Sequence, residues 1–408
     1  MSVLGLIRPD LRGFGGYRSA RKQNSGGAIW LNANEAARPQ AFDTQQLNRY
    51  PEPQPQALAE TLAAYYGVEL DQLLLGRGSD EAIDLIIRAL CIPGSDRILI
   101  QSPTFGMYAV CARLHACTVI DSPLQETEAG FGWDIAGMIA TARRDNCKVL
   151  FLCSPASPTG QSLLRADLER LLEALAGQCL VVVDEAYGEY SAQASALEIL
   201  ARYPHLAVLK TLSKAHALAG ARIGAVIATP ELIAVLKTCQ APYPIPKPSA
   251  TLVLQAFSET ALANTRSGIA QCLTERRLLH TALAALPMIE RVFDSDANFL
   301  LVRCTQADRL GAHLLAHGIV VRAMTQYPSL TDCLRISIGT DAEIDAYVAT
   351  SEPLLVAGAF TIDSLGGAFI RAIEGDPHTV IGLSLPTLRD LVIQLGVEYP
   401  SLWNRSDT

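Results

Sequence analysis

Long apolar runs are missing from this sequence. No stretch approaches the roughly 18–20 residues that span a bilayer, and the most hydrophobic segments, 148–153 and 179–183, stop at a polar or charged residue within a strand's length. The opening, MSVLGLIRPDLRGFGG, has no extended apolar core and is not expected to act as a secretory leader. Cys-x-x-Cys spacing is absent too, and the ten cysteines lie scattered between positions 91 and 333. A chain of this size needs no covalent staples, so they read as reduced, mostly buried thiols, and the expected compartment is the cytoplasm. Positive charge is outnumbered, with 33 basic against 41 acidic residues and a formal net charge of −8. That balance argues against a polyanion-binding surface, while an arginine pocket for a single phosphate stays open. Internal repeats and low-complexity tracts are also lacking. What is abundant is apolar side chain, 50% of 408 residues, which excludes extensive disorder and suits about two to three structural units.

From about residue 50 to residue 351, helical and strand patterns alternate. Short β-rich runs at 97–100, 118–120, 148–153, 179–183, 206–210 and 223–228 are separated by helix-length stretches such as 163–175. This alternation predicts an α/β fold, with a mostly parallel sheet flanked by helices. After Pro248 the character changes: long helical patterns over 250–286 precede strands at 298–303, 319–322 and 334–338, as in a smaller α+β domain. The expected organisation is an arm with part of the small domain at 1–49, a large domain at 50–248, a small domain at 249–352 and a tail at 353–408. The segment 241–248, APYPIPKP, carries four prolines and reads as the connector.

Four motifs carry chemistry. Gly76-Arg77-Gly78-Ser79-Asp80-Glu81 opens a helical pattern, and small residues followed by a Ser/Asp cap make an anion site from backbone N–H groups and the helix dipole; an ordinary capped helix explains the same residues. Ser154-Pro155-Ala156-Ser157-Pro158-Thr159-Gly160 follows a strand, where α/β proteins place ligand loops, or where a plain turn would stand. Val181-Val182-Val183-Asp184 ends an apolar strand in a carboxylate, costly to desolvate without a cationic partner; a capping aspartate is the bland alternative. Finally Thr211-Leu212-Ser213-Lys214-Ala215-His216 continues to Arg222-Ile223-Gly224. A lysine among small and apolar residues is desolvated and becomes nucleophilic toward an aldehyde, and Ser213 with Arg222 can hold a phosphate. A carboxylate for a pyridinium, an amine for a Schiff base and a phosphate cup together match the needs of pyridoxal 5′-phosphate.

These stretches, with LNANE at 31–35, NRYPE at 48–52, SPTFGMY at 102–108, ANF at 297–299 and CLRISIGT at 333–340, resemble the fold-type I aminotransferases, and among them the histidinol-phosphate branch. The resemblance runs in order from about Tyr17 to Val348. It implies a large domain with a mostly parallel sheet plus a smaller α+β domain. It implies Lys214 as Schiff-base lysine and proton shuttle, Asp184 as partner of the pyridine nitrogen, and Tyr187 as partner of the cofactor's 3-hydroxyl. Gly78, Ser79, Asp80, Thr211, Ser213 and Arg222 would surround the phosphate, Phe105 would stack on the ring, and Ser157 would face the 3-hydroxyl. Tyr50 would reach the phosphate of a second subunit, which implies a homodimer. Tyr17, Asn34, Arg322 and Arg335 would meet the substrate, either the phosphate of histidinol phosphate or the carboxylate of glutamate and 2-oxoglutarate. No metal, nucleic acid or membrane is implied.

Two departures stand out: the family usually has Asn where this chain has Ser157, and Tyr where it has Phe105. Rivals on the same scaffold are an aromatic-amino-acid aminotransferase and a threonine-phosphate decarboxylase; a non-catalytic cofactor-binding protein is the rival from another class. The tail from about residue 353, including AGAFTID at 357–363, resembles the end of Maf-type nucleotide pyrophosphatases without that family's catalytic half, and reads as a fusion remnant. His313 and His317, four apart on a helical pattern, read as surface residues, and His216 as packing near the site.

Overall fold

The computed structural model describes residues 3–17, 29–316, 318–340 and 343. Among them the chain divides into two compact units, one within Met1–Leu273 and Asp294–Asn298, the other within Thr274–Phe293 and the stretch from Phe299 onward. The four-proline segment 241–248 lies within the first unit.

The first unit is built on a seven-stranded sheet. Its strands are β1 (Leu73–Gly76), β2 (Arg97–Ile100) and β3 (Thr118–Asp121), then, after a small hairpin of β4 (Gln125–Thr127) and β5 (Gly130–Gly132), β6 (Val149–Cys153), β7 (Leu180–Asp184), β8 (Leu206–Thr211) and β9 (Gly224–Ile227). Their order is β1-β9-β8-β7-β6-β2-β3. Only β9 runs against its neighbours; the pairs β8/β7, β7/β6, β6/β2 and β2/β3 are parallel. The parallel sheet with flanking helices is the architecture the alternating patterns predict. Every residue of β6, β7 and β8 is buried, as both-face coverage of a parallel sheet demands.

The covering helices are α1 (Gln56–Tyr66), α2 (Ser79–Leu90), α3 (Met107–Leu114), α4 (Ile135–Arg144), α5 (Arg165–Leu175), α6 (Pro230–Cys239) and α7 (Lys247–Ala256), followed by the long α8 (Glu259–Ala284). Strand alternation sorts them into two cores. Leu150, Leu152, Val181, Val183, Leu206 and Val208 face α1, α4, α5 and α7. Val149, Phe151, Leu180, Val182, Ala207 and Leu209 face α2, α3 and α6. The period of two along each strand therefore decides which core each residue at a strand's carboxyl end joins.

In the second unit, β10 (Ile289–Phe293), β11 (Phe299–Cys304), β12 (Arg322–Ala323) and β13 (Cys333–Ser337) form an antiparallel sheet in the order β10-β11-β13-β12. Leu283 and Leu286 close over Leu300 and Val302, and α9 (Ala307–Ala316) packs through Ala307 against Cys304 and Leu334. The strand expected at 319–322 is reduced to two residues, and β10 carries no clear alternation in sequence. All ten cysteines are free, and all but Cys239 and Cys272 are buried. Among the described residues no helix is long and apolar enough to cross a membrane.

Candidate active site

The carboxyl ends of β6, β7 and β8 lie side by side, with Cys153 in register with Asp184 and Asp184 with Leu209. Here an α/β sheet gathers its ligand loops. Asp184 follows Val182 onto the α2/α3 face and is 2% exposed. The Tyr108 hydroxyl donates to its Oδ2 at 2.8 Å, and the Ala186 N–H donates to its Oδ1 at 3.1 Å. Burial pushes the Asp184 carboxyl up to about 6, and these two hydrogen bonds oppose the rise, while Asp80 and Glu185 add to it. A buried carboxylate of this kind attracts a cation.

Lys214 stands three residues past the end of β8, its ammonium 5.5 Å from the centre of the buried Tyr187 ring. The desolvated lysine expected from its apolar neighbours in sequence is not built by this chain alone: Lys214 is exposed, because the turn after β8 carries it off the sheet's buried edge. Thr211, buried, donates to the Ser213 hydroxyl at 3.0 Å, and the Ser213 N–H returns to Thr211 Oγ1 at 3.3 Å.

The anion cup is a close-packed corner. Gly224 sits in register with both Gly76 and Thr211, and a Cβ there would fall 2.5 Å from the Gly78 carbonyl carbon and the Ser79 nitrogen. Gly78, at φ +80°, is the cap of α2, and a Cβ on it would fall 2.7 Å from Arg222 Nη2. The Ser/Asp cap expected from sequence is thus not made: Ser79 already lies in the first turn, and no side chain caps the helix. Its first-turn N–H groups therefore face this corner together with the positive end of the helix dipole. Arg222, in the left-handed region at φ 54°, bonds the Asp80 carboxylate at 3.0 Å.

Phe105 is half-buried and meets Tyr108 edge-on, centroids 5.6 Å apart. Ser157 is buried in the loop after β6, beside Thr159, whose hydroxyl has no hydrogen-bond partner. In the arm, the Glu35 carboxylate holds the Arg49 guanidinium at 2.8 Å and the Tyr50 N–H at 2.7 Å. Tyr50, half exposed, stacks on Tyr243 at 4.6 Å. Tyr17 is 67% exposed, and Asn34 is exposed at φ 56°. In the second unit Arg322 and Arg335 pair in register across β12 and β13, and the Arg335 guanidinium lies 5.2 Å over Phe299.

Sequence reasoning missed Tyr108, Lys210 and Glu185 here, and read His216 as packing. Tyr108 was visible only as an aromatic three positions after Phe105, one helical turn along. Lys210 and Glu185 form a buried ion pair at 2.8 Å on the opposite face of the sheet from Asp184. His216 is buried between Tyr65 and Phe257, at 5.3 and 5.1 Å between ring centroids. Burial, helped by the Lys210 charge, holds its imidazole down to about 4, so it packs as a neutral ring. His313 is exposed on α9 and His317 lies outside the described residues; among the described residues no three His, Cys, Asp or Glu side chains gather as a metal set.

A parallel sheet whose carboxyl edge brings together a buried aspartate, a lysine past the next strand and a glycine-lined anion corner is the fold-type I design. The family model for class I and II aminotransferases matches residues 23–350, and the chain belongs to that family. It is 53% identical to the histidinol-phosphate aminotransferase of Stenotrophomonas maltophilia, over 85% of this chain and 96% of that one. It is 50% identical to the one from Xylella fastidiosa, over 83% and 93%. Among solved structures, a histidinol-phosphate aminotransferase from Clostridium acetobutylicum shares the fold at TM-score 0.67 and 24% identity, over 74% of this chain and 90% of that one. A second, from Sinorhizobium meliloti and in complex with pyridoxal-5′-phosphate, shares it at TM-score 0.67 and 23% identity, over 74% and 81%. The model for Maf-like proteins also matches, at residues 312–395; most of that match, and the tail from residue 353, lies outside the described residues.

Proposed function

We propose that this chain uses pyridoxal 5′-phosphate to transfer an amino group from L-histidinol phosphate to 2-oxoglutarate, giving imidazole-acetol phosphate and L-glutamate. The observation that carries the substrate is the relatives' shared name at 50–53% identity over nearly their whole length. The cofactor reading rests on the donor set. Arg222 and the first turn of α2 suit a dianionic phosphate. The Asp184 carboxylate suits a protonated pyridine nitrogen, and the Lys214 amine suits an aldehyde.

When bound, the cofactor supplies an electron sink for the pair released at the substrate's Cα. The remaining work belongs to the chain. Asp184 would keep the ring nitrogen protonated, Tyr187 would hydrogen-bond the ring hydroxyl, and Phe105 would cover a ring face. With the cofactor bound, Lys214 Nζ would hold and move the proton at the substrate's Cα. Arg322 and Arg335 occupy register-paired positions on β12 and β13. Two arginines on register-paired positions suit an anion such as a phosphate or carboxylate. The resemblance in sequence assigns Arg322 and Arg335, and likewise Tyr17 and Asn34, to the substrate phosphate or the glutamate carboxylate. The arm's exposed Leu31, Phe42 and Tyr50 support a homodimer in which Tyr50 serves the second subunit. The chain acts in the cytoplasm.

The test is product formation. Purified protein with pyridoxal phosphate, L-histidinol phosphate and 2-oxoglutarate is expected to yield glutamate in step with substrate loss. Glutamate formation from phenylalanine or tyrosine but not from histidinol phosphate would replace the substrate and keep the cofactor.

A further inference from the structure

Tyr108 stands behind the aspartate rather than in front of it. Its ring is 0% exposed, stacked on Phe151 at 4.8 Å and 9° and closed at its edge by Phe105. Its hydroxyl donates to Asp184 Oδ2 at 2.8 Å, with the Cys153 thiol as its other polar neighbour. Burial holds the phenol well above its ordinary range, so the group stays a donor wherever the protein is folded. The other ionisable neighbours of Asp184 are Asp80 of α2, Glu185 of β7's end and the Cys153 thiol of β6 beside the phenol. The two carboxylates push against ionisation of Asp184, which leaves the Tyr108 hydroxyl and the Ala186 N–H to hold the carboxylate in its charged form.

We propose that Tyr108 is a positioning residue for the cofactor: its hydroxyl fixes and tunes the Asp184 carboxylate and thereby sets the lower pH limit of pyridoxal phosphate binding. This rests on the functional reading above. Tyr108 touches no reacting atom in this account and acts through Asp184 alone.

The experiment is calorimetric titration of pyridoxal phosphate into the full chain across pH 5–9, for wild type, Tyr108→Phe and Tyr108→His. Wild type binds, and its affinity falls on the acid side as Asp184 protonates. Tyr108→Phe keeps both ring contacts, loses the donor, binds about tenfold more weakly at neutral pH and moves the acid limb up by about one pH unit. Tyr108→His restores a ring N–H donor and recovers most of the loss. An unmoved acid limb in Tyr108→Phe, or an equal shift in both variants, overturns the proposal. If Tyr108→Phe does not fold, the His variant decides, because a one-unit shift despite its donor overturns the proposal equally. A wild-type chain that binds no pyridoxal phosphate overturns the functional reading and this one together; a wild type that binds while the variants match it overturns this one alone.

Discussion

Lys210 and Glu185 meet at 2.8 Å on the face of the sheet opposite Asp184, although Glu185 is Asp184's neighbour in sequence. Strand alternation sends consecutive residues to opposite sides, so the catalytic edge is braced from behind. Glu185 also accepts from the Ser195 hydroxyl and the Ala196 N–H, both at 2.6 Å, and Lys210 reaches Glu189 at 3.5 Å and the Tyr66 ring at 5.8 Å. Removing one partner strands a buried charge. Lys210→Met is expected to cost about 3–5 kcal/mol in urea denaturation, and the double change Lys210→Met with Glu185→Gln less than the two single changes added. A Lys210→Met loss below about 1 kcal/mol would contradict the bracing role.

Asp184 is held in a state that disfavours the cofactor-free fold. Its carboxyl, pushed up to about 6 chiefly by burial, binds more protons folded than unfolded, where the value is about 4. This contribution to stability is therefore full below about pH 4 and is lost as pH rises through about 6. Asp184→Asn should stabilise the cofactor-free protein at pH 7.5 by on the order of 1–3 kcal/mol, have little effect at pH 4, and abolish tight cofactor binding. Equal stability of the two proteins at both pH values would count against the buried charge.

We propose that Lys214 carries the proton transfer. Lys214→Ala should bind pyridoxal phosphate noncovalently, release it on gel filtration, and transaminate at least about a hundredfold more slowly. Retention of the cofactor through borohydride treatment in this variant would assign the covalent anchor elsewhere.

Ser157 stands where the family usually places Asn, and it is buried. A hydroxyl is shorter than a carboxamide, so in the proposed complex Ser157 would reach the cofactor's 3-hydroxyl only through water. Ser157→Asn is expected to raise cofactor affinity or turnover several-fold. No change in either would show that the position does not limit this protein.

We propose that the tail is a remnant of a fusion; the Maf-like match at 312–395 begins inside the aminotransferase match at 23–350. Truncation after Pro353 should leave turnover and the sedimentation coefficient's assembly state unchanged. Loss of either would give the tail a part in folding or assembly.

Much of the site was legible because its residues punctuate strands. The apolar run 179–183 placed Asp184 at a sheet edge, and the run 206–210 placed Lys214 just beyond the next one. The glycines at 78 and 224 were less legible, because their need arises from a close approach between β9 and the start of α2, two segments far apart in sequence. Tyr108 and the Lys210–Glu185 pair could not be assigned partners for the same reason: their roles are set by which face of the sheet each meets. The strand read at 319–322 was too long, because the two residues of β12 carry no period to bound it, and β1 was overlooked since its antiparallel partner β9 lies about 150 residues on.

The account's central claim is tested most directly by one spectrum. Purified protein loaded with pyridoxal phosphate is mixed with L-histidinol phosphate in the absence of any amino acceptor. The account predicts that the lysine-bound cofactor band disappears, that the pyridoxamine phosphate band replaces it, and that 2-oxoglutarate then restores the first. A lysine-bound band that persists unchanged with histidinol phosphate would contradict the proposed amino donor.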